Sequence, residues 1–268
     1  MPMTNPLGLP LEGPPPPEIT LPRAPLVSVI AQVRFPLLLA ARVSERVVAF
    51  QEAIADRYPH LERQDITPIN LMPMQIPQAG TEAMVHWRFS DESRQWRLTL
   101  TPEFIALETR AYESRGNFLE RLEGILQALE DTLAPKLATR FGIRYIDQIK
   151  GESLARIGKL LRSEVLGVAG SLGVNARQLF TELFVPADPG DLLARWGKLP
   201  ASLTLDPNLV PPITEDSWLL DLDVSKSLPS PFNTKALVTT AGLAAERVYA
   251  VFRWMVTDEF LRTYGGTI

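Results

Sequence analysis

The middle of the chain carries the sequence RFGIRYIDQIKG, residues 140–151. Apolar and polar side chains alternate along most of it. The apolar set is Phe141, Ile143, Tyr145 and Ile149, and the polar set is Arg140, Arg144, Gln148 and Lys150. This period of two predicts one long strand with one buried face.

Similar patterns predict the elements that precede this strand. Alternation over residues 27–35 predicts an opening strand that Pro36 stops. Ser44 is a candidate N-cap for a helix that extends to about Asp56. A long amphipathic helix is predicted over residues 115–138. Between these helices, strands are predicted at 66–74, 84–89, 94–101 and 104–110, with a hairpin turn at 91–93.

The elements that follow repeat this order. Helices are predicted at 153–165 and 234–264. Between them, strands are predicted at 178–185, 192–198, 202–205 and 218–224. Both halves therefore have the order strand, helix, three to four strands, helix, although their residues show little identity. This order predicts an internal duplication, with two unrelated α+β layouts as the alternative.

The predicted fold class is α+β. The two units would form one long, mostly antiparallel sheet, with the helices on one face and solvent on the other. The central strand then begins the second unit and is the seam between two half-sheets. By analogy of topology alone, this is a TATA-binding-protein-like arrangement. We predict a flexible proline-rich arm at 1–23, a first repeat at 24–139 and a second at 140–268.

Three short stretches carry a family resemblance. They are the opening strand with Val33-Arg34-Phe35, the central strand with Arg144-Tyr145-Ile146-Asp147, and the closing helix with Phe252-Arg253-Trp254-Met255. Together they resemble a sporadically distributed bacterial family of uncharacterised proteins of about this length. The resemblance covers nearly the whole predicted folded region and implies no activity, cofactor or catalytic residue. The proline-rich arm departs from the family pattern.

Composition narrows the possible function classes. Hydrophobic residues make up 46% of the chain and charged residues 22%, as is usual for a globular protein. There is no cysteine, which excludes disulfides, a thiolate nucleophile and zinc-thiolate sites. A net charge of −4 argues against a protein that coats nucleic acid without selectivity. We found neither a targeting segment nor an apolar run long enough for a membrane span, so we predict a soluble, cytoplasmic protein with no membrane partner.

Motifs that would indicate catalysis are missing or incomplete. Nucleotide-binding glycine signatures are absent, and Gly167, Gly170 and Gly173 are interpreted as part of a flexible loop. The two histidines, His60 and His86, form no metal or triad motif. We therefore predict no catalytic residue, metal site or cofactor.

Three carboxylates on strands are candidates for chemistry. Asp221 and Asp223 lie two residues apart, so they could hold a metal ion or act as an acid–base pair, but a solvated strand face is the favoured interpretation. Asp147 shares its face with apolar residues, which favours a structural ion pair with Arg121 or Arg140 over a catalytic acid.

The outward side of the predicted strands has a distinctive charge distribution. The basic residues of the first half and the central strand form a candidate binding face: Arg34, His86, Arg88, Arg97, Arg110, Arg144 and Lys150. Acidic residues occupy the corresponding positions of the second half: Glu182, Asp206, Asp221 and Asp223. The sequence thus predicts a sheet face with one basic and one acidic half.

Several interpretations of this polarity remain open. The face could bind a partner protein or a second copy of the chain. It could bind a short nucleic acid, with Trp87 or Tyr112 stacking on bases. It could also be a solvated face with weak salt bridges. Our functional hypothesis is a non-enzymatic binding or regulatory module whose partner is a protein. The alternatives are nucleic-acid binding through the arginine-rich half and, after that, a metal-dependent enzyme that uses Asp221 and Asp223.

Overall fold

A computed structural model describes residues 10–66, 84–172, 176–207 and 209–268. The strands are β1 (Leu26–Arg34), β2 (His60–Ile66), β3 (Met84–Ser90), β4 (Trp96–Leu100), β5 (Phe104–Thr109), β6 (Leu137–Lys150), β7 (Thr181–Ala187), β8 (Gly190–Leu199) and β9 (Ser217–Pro231). The α-helices are α1 (Ser44–Ile54), α2 (Arg115–Thr132), α3 (Gly151–Ala155), α4 (Ile157–Leu160), α5 (Ser163–Leu166), α6 (Val168–Leu172), α7 (Thr234–Met255) and α8 (Asp258–Thr263). One 3-10 turn, Leu39–Arg42, precedes α1.

The nine strands of the described residues form one antiparallel sheet in the order β2-β3-β4-β5-β1-β6-β9-β8-β7. In each half of the chain, the last strand pairs with the first: β5 with β1, and β9 with β6. The two opening strands pair with each other at the centre, where Ile30 lies opposite Arg144. The predicted α+β class is confirmed, and the central stretch joins the two half-sheets.

One face of the sheet carries the helices and most of the core. Phe141 and Ile143 of β6 are fully buried on this face, as their alternation predicted. The predicted apolar stripe of the second helix is buried as well: Phe118, Leu122, Ile125, Leu126 and Leu129 of α2, and Leu133 at its C-cap. Helix α2 packs against both α1 and α7, and α7 packs on β6 and β9. Each such side chain contributes about 1.5–3 kcal/mol through burial.

Side-chain caps define where the two long helices begin. The Ser114 side chain accepts a hydrogen bond from Asn117 N at 3.1 Å and caps α2. The Asn233 side chain accepts one from Ala236 N at 2.9 Å and caps α7. Glu130 of α2 also accepts from Thr234 N at 3.0 Å, so a carboxylate lies at the positive end of the α7 dipole.

Several predicted helix boundaries are wrong. Helix α1 has Val43 rather than Ser44 at its N-cap. Helix α2 ends at Thr132 because Ala134 adopts a φ of 47° and Pro135 follows, which frees residues 137–139 for β6. The predicted helix over 153–165 is three short helices, α3 to α5.

The predicted C-terminal helix is divided into α7 and α8. The break occurs at Val256, which pairs with Leu161 as an isolated bridge. Thr257 then caps α8 by accepting from Phe260 N at 3.3 Å. Its hydroxyl also donates to Lys159 O at 2.6 Å, which ties the break to α4.

Two predicted strands differ from the structure. The second strand is β2 at His60–Ile66, and the remainder of the predicted 66–74 segment lies outside the described residues. Residues 202–205 form turns and irregular backbone instead of a strand. Gly167 and Gly170 belong to the short-helix region, with Gly167 at the C-cap of α5, whereas Gly173 lies outside the described residues.

The face opposite the helices is only partly open. A small second core packs on it and consists of Ile146, Leu199, Val210 and Leu219, with Val27, Leu205 and Leu209 around them. The segment after β8 supplies Val210 and therefore covers part of the second half-sheet. The prediction that this whole face meets solvent is wrong for the β6–β9–β8 region.

Residues 10–23 of the predicted flexible arm lie along α7. The Arg247 guanidinium donates to Pro10 O and to Gly13 O, both at 2.9 Å. Ile19 N donates to the Tyr249 hydroxyl at 2.8 Å. Proline lacks a backbone donor but keeps its carbonyl acceptor, so an arginine on the helix suits a proline-rich segment well. This part of the arm is docked on the folded body.

Candidate binding groove

The helix-free face carries a groove of about 480 Å³. It crosses six neighbouring strands, from β3 to β9. Its strand residues occupy alternate positions and therefore share one face of the sheet: Ile30, Gln32, His86, Arg88, Arg97, Thr99, Phe104, Ala106, Glu108, Arg140, Gly142, Arg144 and Asp223. Asp206 and Leu209 from the segment between β8 and β9 close one side. The same segment that covers the second half-sheet thus forms one wall of the groove.

The structure brings together four residues of the predicted binding face. His86, Arg88, Arg97 and Arg144 all line the groove. Arg110 lies beside them, because its Nη2 donates to Leu209 O at 3.5 Å.

Two other predicted members lie outside the groove. Arg34 is 3.6 Å from Glu103, and Lys150 is 3.6 Å from Glu215 at the opposite end of β6. Both share the sheet face of the groove without lining it. Lys150 is separated from the groove by the length of β6, whereas Arg34 lies opposite Arg140 at the groove edge and is directed to Glu103.

Arg140 lines the groove although it is not among the residues of the predicted binding face. It has the same parity as Arg144 on β6, and this shared parity was the available signal. Gly142 lies between them, and a Cβ there would be 3.1 Å from Arg140 Nη1. A glycine at this position therefore leaves room for the Arg140 side chain across the groove floor.

Arg144 is the centre of a buried ion-pair network. Its Nε and Nη2 donate to the two oxygens of Asp221 at 2.6 and 2.9 Å, and its Nη1 donates to Asp206 at 3.2 Å. Arg195 Nη2 lies 2.9 Å from Asp221 Oδ2. Burial alone would lower the pKa of Arg144, but the hydrogen bonds that it donates to Asp221 and Asp206 raise the pKa above its ordinary value. Arg144 therefore holds β6, β9 and the covering segment together.

The network changes the interpretation of Asp221. Asp221 is fully buried, so the prediction that it lies on a solvated strand face is wrong. Both carboxylate oxygens of Asp221 accept hydrogen bonds from guanidinium groups. Neither oxygen is therefore free to bind a metal ion. Asp223 faces Arg140 at 3.9 Å, and burial raises the pKa of its carboxyl. Within the described residues, no group of three or more metal-ligating side chains is clustered.

Acidic and basic residues meet inside the groove. Glu108 lies 3.6 Å from Arg97 and 3.8 Å from Arg110. Burial raises the pKa of Glu108, and Arg97, Arg110 and, at longer range, Arg88 oppose this rise. Asp206 and Asp223 from the acidic half line the same cavity. The two predicted charge halves therefore adjoin at this groove, with opposite charges interleaved across it.

Arg88 differs from the other groove arginines. It forms no ion pair within 4 Å with any residue in the described ranges, and its Nε is buried without a hydrogen-bond partner. Its neighbour His86 packs edge-on against Phe104, with ring centroids 6.1 Å apart. Burial and the adjacent Arg88 both lower the pKa of His86, which favours its neutral form. The β3 side of the groove therefore offers a cation with no ion pair within 4 Å among the described residues, together with a neutral imidazole.

The aromatic residues predicted to stack on bases do not face the groove. Trp87 is 5% exposed on the core side, where its Nε1 donates to Ala41 O at 2.7 Å. Tyr112 lies on the core side as well, with its hydroxyl 3.4 Å from that of Tyr145. Neither ring is available to a base in the groove.

Asp147 lacks the predicted ion pair. The Arg121 guanidinium instead lies 4.2 Å from the centre of the Trp96 ring, and Arg140 extends from the opposite face of the sheet. Asp147 is 6% exposed, and burial raises the pKa of its carboxyl to about 7. It lines a separate cavity on the helix side.

No protein-family model, curated protein or solved structure matches this chain. Membership of the bacterial family that the sequence resembles therefore stays a prediction. None of the helices in the described ranges has both the length and the apolar character needed to cross a membrane.

Proposed function

We propose that the protein is a non-enzymatic cytoplasmic binding module that holds an acidic segment of a partner protein in the groove. The observation that carries this proposal is Arg88, a partly buried cation without an ion-pair partner among the described residues. An unpaired charge in a concave site is costly, and a carboxylate from a partner would provide both its countercharge and its hydrogen bonds.

The shape of the groove supports an extended peptide as the occupant. Six adjacent strands span about 24 Å at the usual interstrand distance. An extended chain covers this distance with about seven residues. Arg88 and Arg97 lie on neighbouring strands near one end, so an acidic residue of the peptide would bind there, while a basic or polar residue would face Asp206 and Asp223.

The interleaved charges support a protein partner over nucleic acid. Glu108, Asp206 and Asp223 would repel a regular row of phosphates laid across the groove. The two aromatic residues proposed for base stacking lie on the core side of the sheet. A peptide can alternate its charges to match the groove, whereas a phosphate backbone cannot.

The proposal can be tested with defined probes by fluorescence anisotropy. We expect the full chain to bind a labelled heptapeptide with two glutamates at one end, two lysines at the other and serines between them at about 50 mM salt, and more weakly at higher salt because the charges are screened. Arg88→Glu should reduce this affinity at least tenfold. The matched control is Arg57→Glu, which reverses an arginine paired with Glu120 outside the groove and should leave the affinity unchanged.

Unchanged affinity in the Arg88→Glu variant would refute the groove as the site. A single-stranded heptanucleotide that binds more tightly than the peptide, and loses affinity in the same variant, would replace the protein partner with nucleic acid. Arg144 is unsuitable for this test because a glutamate there would leave buried Asp221 without its countercharge.

A further inference from the structure

A second cavity, of about 320 Å³, lies beneath the docked arm. Arm residues such as Ile19 and Leu21 form one wall, Val248 and Phe252 of α7 form another, and Tyr145 and Asp147 of β6 lie at its floor. It is separate from the groove because it lies on the helix-covered face of the sheet. Its volume falls at the lower end of the range for small-molecule sites.

Asp147 is the unusual group in this cavity. It is more than nine-tenths buried, and it has neither a hydrogen-bond partner nor an ion pair among the side chains of the described residues. The two arginines of the cavity are engaged elsewhere. Arg115 lies 2.7 Å from Glu18 and 2.9 Å from Glu246, and Arg110 extends towards Glu108 and Leu209. No cation of the cavity lining is therefore placed to neutralise the Asp147 carboxylate.

The rest of the cavity is aromatic and aliphatic. Tyr112 and Tyr145 meet edge-on with ring centroids 5.6 Å apart, and Tyr249 and Phe252 lie 6.5 Å apart. Burial raises the pKa of Tyr112, Tyr145 and Tyr249, so their hydroxyls remain neutral at physiological pH. Aromatic rings beside a buried carboxylate form a suitable environment for an organic cation with an apolar body.

We propose that this cavity binds a small organic amine, whose ammonium group pairs with the Asp147 carboxylate and whose apolar part packs against Tyr145 and Phe252. The ligand supplies the missing countercharge, and the apolar walls contribute the remaining affinity. The arm covers the site through Ile19 and Leu21, so binding requires the arm to move or the ligand to enter beside the exposed Glu18–Arg115 pair.

Isothermal titration calorimetry on the full chain tests the proposal with two probes of equal size. 2-Phenylethylamine carries the ammonium group, and 2-phenylethanol is its neutral counterpart. At pH 8 we expect the amine to bind at least tenfold more tightly than the alcohol. Asp147→Asn should abolish this preference and leave the alcohol affinity unchanged, whereas Asp56→Asn, at an exposed carboxylate, should preserve it.

The affinity of the amine should also depend on pH. Because burial raises the pKa of Asp147 to about 7, about a tenth of the carboxyl is ionised at pH 6 and most of it at pH 8. Amine binding should therefore weaken about tenfold from pH 8 to pH 6. The other titratable and charged groups around Asp147 are those that line the cavity with it, and Tyr264, which interacts with it electrostatically: Glu18, Arg110, Tyr112, Glu113, Arg115, Tyr145, Tyr249 and Tyr264. The Asp147→Asn variant keeps all of these surrounding groups. If Asp147 causes the pH dependence, amine binding to this variant should no longer depend on pH.

Equal affinity of amine and alcohol, failure of the amine to bind at millimolar concentration, or an unchanged preference in Asp147→Asn would each overturn the proposal. Circular dichroism of the variant establishes that it is folded. Tyr145→Phe provides a second check, since it keeps the ring and should largely retain amine binding even though it removes the hydroxyl.

Discussion

Replacement of Asp147 by asparagine should change how the stability of the protein depends on pH. The carboxyl has an ordinary pKa of 3.8 in the unfolded chain, and burial raises it to about 7 in the folded protein. Between these values the folded state retains a proton that the unfolded state has released. The free energy of unfolding therefore falls as pH rises through this window.

The magnitude follows from the two pKa values. At about 1.4 kcal/mol for each pH unit, the rise from 3.8 to about 7 corresponds to about 4 kcal/mol of stability lost by pH 8. Asparagine has a similar shape and does not titrate. The Asp147→Asn variant should therefore exceed the natural protein by up to about 4 kcal/mol at pH 8, and by about 1 kcal/mol at pH 4.5, where little of the loss has occurred.

Urea denaturation followed by tryptophan fluorescence measures this difference at each pH. Burial also raises the pKa of Glu108 and Asp223, but both proteins retain these groups, so the difference between the two curves isolates Asp147. Asp56→Asn, at an exposed position, is the control and should follow the natural protein. Parallel stability curves for the Asp147→Asn variant and the natural protein would show that the carboxyl titrates as a solvated group and would refute the effect of burial on its pKa.

Three further predictions concern the ion-pair network, the arm and the sheet edge. Asp221→Ala leaves the guanidinium groups of Arg144 and Arg195 without their shared countercharge. It should lower the free energy of unfolding, measured by denaturant titration, by about 3–5 kcal/mol. The control Glu62→Ala removes an exposed ion pair and should lower it by less than about 1 kcal/mol. Arg247→Ala removes the hydrogen-bond donors that hold residues 10–13 against α7. Limited proteolysis should then cleave the arm several-fold faster. An unchanged cleavage rate would contradict the docking of the arm on α7. Phe184 is 68% exposed on the edge strand β7. Phe184→Glu should therefore reduce any concentration-dependent self-association of the protein in analytical ultracentrifugation. Equal self-association of the variant and the natural protein would show that β7 is not the contact surface.

Local sequence patterns predicted the sheet better than the helix ends. The alternation in β6 predicted a buried side that includes Phe141 and Ile143, because side-chain parity depends only on the strand itself. The break between α7 and α8 was missed, although Thr257 followed by two acidic residues is a typical helix start. The hydrophobic period continues across the break, so periodicity alone could not reveal it.

The candidate sites depended on contacts that strand patterns cannot predict. Parity placed Arg88, Arg97 and Arg144 on one face correctly. It could not predict that Asp206, which is 62 residues from Arg144 along the chain, would come from a covering segment and pair with that arginine. The cavity at Asp147 likewise needs the docked arm as its wall, and a proline-rich composition indicated only an extended conformation.

The stretch at residues 140–151 also has a role in fixing strand register. Because side chains alternate, a slip of one residue in β6 would move Arg144 into the core and Ile143 to the groove. β6 pairs with a strand on each side, so such a slip would have to break both ladders. In the observed register Arg144 donates two hydrogen bonds to Asp221, and a one-residue slip would break them because the two side chains would then lie on opposite faces. A buried charged pair adds little net stability compared with apolar residues, but it makes the alternative register expensive by leaving both charges unpaired. We therefore interpret the ion-pair network of Arg144 as favouring the observed register of β6 over a one-residue slip. The observed register also places Arg144 in the wall of the groove and Asp147 at the floor of the cavity, on opposite faces of one strand.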